Sequence, residues 1–178
     1  MNDPFARHPE TGTFTVTSST VADGAAWAKA QYSGAFGVPG GEDVSPQLSW
    51  SGAPEGTKSY VVTVYDPDAP TQSGFWHWAV ADIPADVTSL PEGAGDDTGS
   101  ALPDGAYQLR NDAGQARFIG AAPPAGHGRH RYFITVHALS TDKAGVGPDA
   151  TPAVLGFTIH NQTLARATIV ATGEIPAA

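Results

Sequence analysis

Two short runs, Lys58–Tyr65 and Phe75–Ile83, constrain this chain more than any other feature. Both are almost continuously apolar and rich in β-branched and aromatic residues. That pattern predicts strands buried on both faces rather than one-sided helices. The nine residues between them, Asp66–Gly74, contain Pro67 and Pro70. Proline brings no amide hydrogen to a ladder, so this segment is expected to be a structured loop at one end of a sheet. Because it must turn back sharply around two prolines, a cis bond is expected at Ala69-Pro70 or a neighbouring position.

Further strand signals follow the same logic: Thr13–Ser18, Gln47–Ser51, Arg131–Leu139 and Ala167–Thr172, with a shorter apolar stretch at Tyr107–Arg110. The segments Gly34–Pro46 and Leu90–Gly105 are too dense in glycine, proline and acids for regular structure, and the second is expected to be a long exposed loop. Gly (21) and Pro (15) make up about a fifth of the 178 residues, below the level that suggests disorder. One helix is expected from a Thr151 cap and Pro152 in the first turn, with Val154, Leu155, Ile159 and Leu164 near helical spacing through about Ala165. Strands outnumber helices. The fold class is therefore mainly β, an antiparallel sandwich with one or two short helices. With no dividing linker, residues 1–178 read as one domain, with 1–11 as a loose N-terminal arm.

The formal charge of −9 excludes a broad basic surface for nucleic acid and argues against docking on anionic membranes. It leaves room for one local anion pocket. The chain has no cysteine, which excludes disulfides, zinc–thiolate sites and thiol nucleophiles. No apolar leader core is visible near residue 1, and no run is long enough to span a membrane, so a cytoplasmic location is expected.

Three places carry polar groups able to do chemistry: Asp66 and Asp68 at the end of a buried strand, His77 between Trp76 and Trp78, and Pro123–Tyr132, a rigid loop entering a strand. Period two puts His130 and Tyr132 on one face and Arg131 on the other. Each has a simpler reading. His77 suits a core histidine bonded to a carbonyl, the aspartates suit turns, and Arg131 suits a carboxylate partner. His127 reads as a solvated loop residue, His137 and His160 as structural. No G-x-S-x-G elbow or phosphate-binding P-loop occurs. A metal site from His77, His130 and an aspartate is chemically open.

Taken together these blocks resemble the phosphatidylethanolamine-binding protein family, in its bacterial, Raf-kinase-inhibitor-like branch. The matching residues are Ser45–Trp50, Gly56–Ser59, Asp66-Pro67-Asp68-Ala69-Pro70-Thr71, Phe75–Val80, Asn111-Asp112, Pro123-Pro124-x-Gly126 and His130-Arg131-Tyr132, and the likeness spans about residues 12 to 172. It implies a large sheet on a smaller one with Greek-key connections, and a small anion pocket at one sheet end. By motif position the pocket residues are Asp66, His77, Pro124, His130 and Tyr132, with Asp68 and Trp76 close behind. The family's C-terminal pocket-lining helix has no match, so a more open pocket is expected.

The resemblance implies a binding protein rather than an enzyme, with no cofactor. Its ligand would be a phosphate-bearing small molecule or phospholipid headgroup. Trp76, Trp78 and Pro124 would supply apolar walls, and Tyr132 a neutral donor. Regulation of a protein kinase or protease, and a homodimer, are further expectations of that kind. The alternative is a hydrolase or metalloenzyme using the His/Asp cluster. The geometric expectation is that Asp66, His77, His130 and Tyr132 converge on one cavity.

Overall fold

The computed structural model describes residues 3–177; Met1, Asn2 and Ala178, the ends of the expected single domain, lie outside them. In chain order the strands are β1 (Gly12–Thr13), β2 (Thr15–Thr17), β3 (Leu48–Ser51), β4 (Ser59–Asp66), β5 (Phe75–Pro84), β6 (Ser89–Leu90), β7 (Tyr107–Gln108), β8 (His130–Leu139) and, after helix α1 (Pro152–Ile159), β9 (Thr163–Gly173). A single 3₁₀ turn covers Lys29–Gln31. The chain is mainly β, in two sheets. Six strands order as β1-β9-β8-β4-β5-β7 and three as β2-β3-β6. Every pairing is antiparallel except β1 with β9, which is parallel at the sheet edge.

β4 is buried along nearly its whole length, as its almost continuous apolar run requires. One face of the large sheet carries Val62, Val64, Trp78, Val80, Ile134 and Val136. These join Val16, Leu48, Trp50 and Leu90 of the small sheet in one core. On the other face Val61, Ala79, Ala81 and Leu139 lie under Leu155 and Ile159 of α1. Burying each such side chain contributes roughly 1.5–3 kcal/mol, so the two cores hold the central strands from both sides.

Several boundaries differ from the sequence reading, each for a local reason. The expected Thr13–Ser18 strand is cut at Phe14, where the chain passes from the large sheet to the small one. Thr151 caps α1 as expected, its Oγ1 accepting from the Val154 amide at 3.2 Å, but the helix stops at Ile159. Leu164 belongs to β9, whose burial alternates strictly from Thr163 to Gly173. The inward residues Ala165, Ala167 and Ala171 are small, so this period of two is faint in the sequence. Only half of the Leu90–Gly105 stretch is exposed; Leu90, in β6, and Ala94 and Gly95 are buried. Residues 3–9, at the outer end of the expected arm, turn back so that Phe5 lies edge-on to the His137 ring at 6.1 Å.

The loop between β4 and β5 corrects the expectation of a cis proline: no peptide bond among the described residues is cis. The reversal is made by other means. Asp66 Oδ1 accepts the Asp68 amide at 2.7 Å, an Asx turn. Gly74, at φ 68°, passes so close to Tyr65 that an added Cβ would sit 2.3 Å from its hydroxyl.

A second staple holds the loop that precedes the double proline. Asp43 adopts φ 55°, a left-handed conformation that aspartate tolerates better than most residues. Its carboxylate accepts the Gly120 amide at 2.8 Å and the Ala35 amide at 2.9 Å. Burial would raise its pKa, but these amides, with Ser33 and Arg117, hold it below the usual carboxylate value. Gly120 cannot carry a side chain, because a Cβ would lie 2.4 Å from the Tyr32 backbone. Asp43→Ala is expected to cost at least about 2 kcal/mol near neutral pH, since hydrogen bonds to charged groups are worth roughly 1.5–3 kcal/mol. A depressed carboxylate pKa stabilises the fold above the unfolded value and loses that contribution as pH falls through the folded one. The deficit of the variant should therefore shrink as pH falls below the unfolded carboxylate value of about 3.9. Denaturant titrations at both pH values check it.

Candidate functional site

β4 runs antiparallel to both β5 and β8, so its last residue meets the first residues of both neighbours. Asp66 pairs with Phe75, and Tyr65 with Phe133. This end of the sheet borders a cavity of about 170 Å³ lined by Asp66, Phe75, His77, His130 and Tyr132 from the strands, with Phe36, Ala69–Thr71 and Ala122–Pro124 from loops. Five of the seven expected residues thus meet: Asp66, His77, Pro124, His130 and Tyr132.

Asp68 and Trp76 do not line it. The Asp68 carboxylate receives Arg131 three times: Nε and the backbone amide on Oδ2 at 2.8 and 2.9 Å, and Nη2 on Oδ1 at 2.8 Å. This forked pair holds the Asp68 pKa down and ties the loop after β4 to β8. It also gives Arg131 the carboxylate partner expected of it. Trp76 points to the opposite face and stacks on Tyr65 at 4.4 Å. Trp78 is in the core, its indole N–H donating to Gln108 Oε1 at 2.6 Å. Phe36 and Phe75 stand in place of the two tryptophans as apolar walls, beside Pro124. Phe75 is legible as the residue two before His77 on one strand face. Phe36 comes from a glycine-dense loop that carries no signal for it.

The two cavity imidazoles are oriented by what each can donate to. His77 Nδ1 lies 2.8 Å from the Ile119 carbonyl. A carbonyl only accepts, so Nδ1 carries the proton, and Nε2 takes no partner among the described residues. The His77 ring packs edge-on to Tyr132 at 5.1 Å and beside Phe75 at 4.8 Å. Burial pushes its pKa below the ordinary histidine value, against the Ile119 carbonyl and the Asp66 charge. His130 Nδ1 donates to Asp66 Oδ2 at 2.7 Å, with both side chains almost wholly buried.

His127 departs from the reading of a merely solvated residue. It is exposed, yet its Nδ1 lies 2.8 Å from His130 Nε2. Asp66, His130 and His127 therefore form a chain running from the buried end of β4 to the surface. His127 rides between Gly126 and Gly128, both at positive φ. Tyr132 Oη is buried without a partner among the described residues. Burial, then the nearby Asp66 charge, raise its pKa well above the phenol value, so the hydroxyl keeps its proton. The C-terminal segment forms no helix here; the Ile175 carbonyl accepts the Gly126 amide at 2.9 Å. No group of three His, Cys, Asp or Glu among the described residues is arranged to hold a metal ion, and no helix there is long and apolar enough to cross a membrane.

Comparison with known proteins gives the family. A family model described as phosphatidylethanolamine-binding protein matches residues 17–174. UPF0098 protein YbcL of Escherichia coli strain K12 is 48% identical over 162 residues, 91% of this chain and 88% of that protein. UPF0098 protein YbhB of the same strain is 50% identical over 131 residues, 74% of this chain and 82% of that one. The crystal structure of E. coli YbcL, called a new member of the mammalian PEBP family, aligns with a TM-score of 0.88 at 47% identity over 92% of this chain and 99% of its own. The match begins at the last residue of β2, ends one residue past β9, and so takes in every strand that borders the cavity: this chain belongs to the phosphatidylethanolamine-binding protein family.

Proposed function

We propose that the protein is a binding protein for a small phosphate-bearing molecule, free or as a phospholipid headgroup, taken up in the His77–His130 cavity. One observation carries the reading: two imidazoles with assigned donors face one cavity of about 170 Å³. That volume suits a phosphate group and little more, while Phe36, Phe75 and Pro124 suit the small organic part attached to it. Nothing in the cavity resembles an activated nucleophile. The buried hydroxyl there, Tyr132, is held protonated, and both nitrogens of His130 are engaged. Binding rather than turnover is the reading this favours.

An anion reaches His130 Nε2 only when His127 vacates it. Movement of a glycine-flanked loop is the least costly change that permits this. The anion must then receive a proton-bearing nitrogen. With Nδ1 committed to Asp66, His130 offers one at Nε2 only as imidazolium. His77 is in the same position, its Nδ1 being committed to Ile119. Ligand binding therefore takes up protons.

The sign of the pH dependence follows. A bound anion raises the imidazole pKa above its value in the free protein. Affinity is then greatest below the free-state pKa and decays as pH rises through the bound-state value. A phosphodiester keeps a constant charge across this range, so glycerophosphoethanolamine separates the protein's titration from the ligand's. Calorimetry is expected to show affinity at least about tenfold higher at about pH 5.5 than at about pH 8. Equal affinities would overturn the reading. Inorganic phosphate run beside it distinguishes free phosphate from a headgroup as the preferred form. His77→Ala combined with His130→Ala should abolish both affinity and its pH dependence. His127→Ala, which removes the internal competitor, should tighten phosphate binding by about twofold or more. Weaker binding in that variant would make His127 a ligand contact instead.

A further inference from the structure

The face of the large sheet turned away from the small sheet has a second concavity. α1 covers only part of that face. Beyond the helix lies a cavity of about 820 Å³ that shares no lining residue with the His77–His130 site. Its floor is Tyr65, Trp76 and Phe133, with Thr63 and Thr135 between them. Phe157 of α1 and Phe5 of the N-terminal segment stand at its sides. Phe157 is 76% exposed and its neighbour Val154 50% exposed, the two large apolar side chains that α1 leaves uncovered. The volume falls within the range of small-molecule sites, roughly 300–1,000 Å³.

One polar wall of this cavity is built around Arg166. Arg166 projects from β9, half-buried, and has no carboxylate within ion-pair distance among the described residues. Its contacts are long and neutral: the Pro9 carbonyl at 3.5 Å, Thr11 Oγ1 at 3.3 Å and His8 Nδ1 at 3.4 Å. The Phe5 ring lies 5.1 Å from its Cζ. Arg166 Nε is buried with no partner, as is Nδ1 of the adjacent His137, whose Nε2 meets Thr63 Oγ1 at 3.2 Å. Buried polar atoms without partners are uncommon and costly, and two of them share one wall. The carboxylates on the lining, Asp3 and Asp112, are turned to backbone amides of Phe5 and Trp76. Burial holds the Arg166 pKa below the ordinary arginine value, consistent with a cation that lacks compensation.

We infer that this cavity is a second binding site, for a small amphiphilic carboxylate whose apolar tail lies on Tyr65, Trp76, Phe133 and Phe157 and whose head pairs with Arg166. Residues 3–9 form the wall that adjusts, since Phe5 covers both Arg166 and His137. A carboxylate suits the guanidinium because it can accept from two nitrogens at once. A purely apolar ligand would leave the cation unpaired, and a small hydrophilic anion would leave the aromatic floor wet. The site is independent of phosphate binding at the opposite face.

Octanoate is the probe, with 1-octanol as the same tail without charge and acetate as the same head without tail. Calorimetry on the full chain is expected to show saturable one-to-one octanoate binding, with 1-octanol and acetate at least about tenfold weaker. Arg166→Gln should weaken octanoate by a similar factor, and Arg166→Lys should recover part of the loss. Because Arg166 also holds the N-terminal segment, Phe157→Ala is the independent variant; that residue is exposed, so the fold survives and octanoate weakens. Backbone amide shifts should change at Phe133, Thr135 and Phe157, and saturating phosphate should not displace the ligand. The inference is overturned by any of four results: no saturable octanoate binding, equal affinity in Arg166→Gln, shift changes confined to Phe36, Thr71 and His77, or a Phe157-dependent dimer that takes no octanoate.

Discussion

Asp66 is a carboxylate withdrawn from water at the end of a strand, and two donors among the described residues make that tolerable. They are the His130 ring N–H and the Asp68 amide. An unpaired buried charge costs several kcal/mol, so these contacts are conditions of the fold rather than ornaments on it. Each has a structural consequence. The amide bends the chain after β4 so that Asp68 can fork onto Arg131. The imidazole anchors the start of β8, settles its own tautomer, and leaves Nε2 as its one variable nitrogen. The strand end, the turn and the site chemistry all issue from one buried oxygen pair.

This also explains how an acidic residue stands beside two imidazoles in one cavity. Asp66 faces His130 Nδ1, and its charge is spent there. The far side of the ring, Nε2, meets His127. The same division holds for His77, where the Ile119 carbonyl takes one nitrogen and the cavity has the other. Two rings from different strands thus present equivalent edges because each is tethered by a group that can only accept.

The sequence disclosed this arrangement unevenly, for physical reasons. Long runs such as Lys58–Tyr65 and Phe75–Ile83 declare themselves, because burial on both faces leaves few polar positions to blur the pattern. β9 was read too short, since alanines facing a neighbouring sheet carry little hydrophobic contrast, and α1 was read too long into that same stretch. Asp66, His77, Pro124, His130 and Tyr132 could be named from their motifs. Asp68 and Trp76 are neighbours in sequence that strand geometry sends elsewhere, one to Arg131 and one to the opposite face. His127 looked ordinary because its only distinction is a contact set by the glycines beside it. Phe36 reaches the cavity through tertiary contact alone.

The parallel pairing of β1 with β9 joins Gly12 to Ala165 and Thr13 to Arg166. Strand β8 likewise finds its outer partner only in β9. During synthesis β1 must wait for β9 before it has this edge to join, and β8 emerges with one long side unpaired. Loop closure over such a separation is entropically costly and slow compared with hairpin formation. The β4–β5 hairpin can form while the chain is still being made. Completion of the large sheet has to wait for β9, and until then the open edge of β8 is the surface most exposed to pairing with the wrong chain.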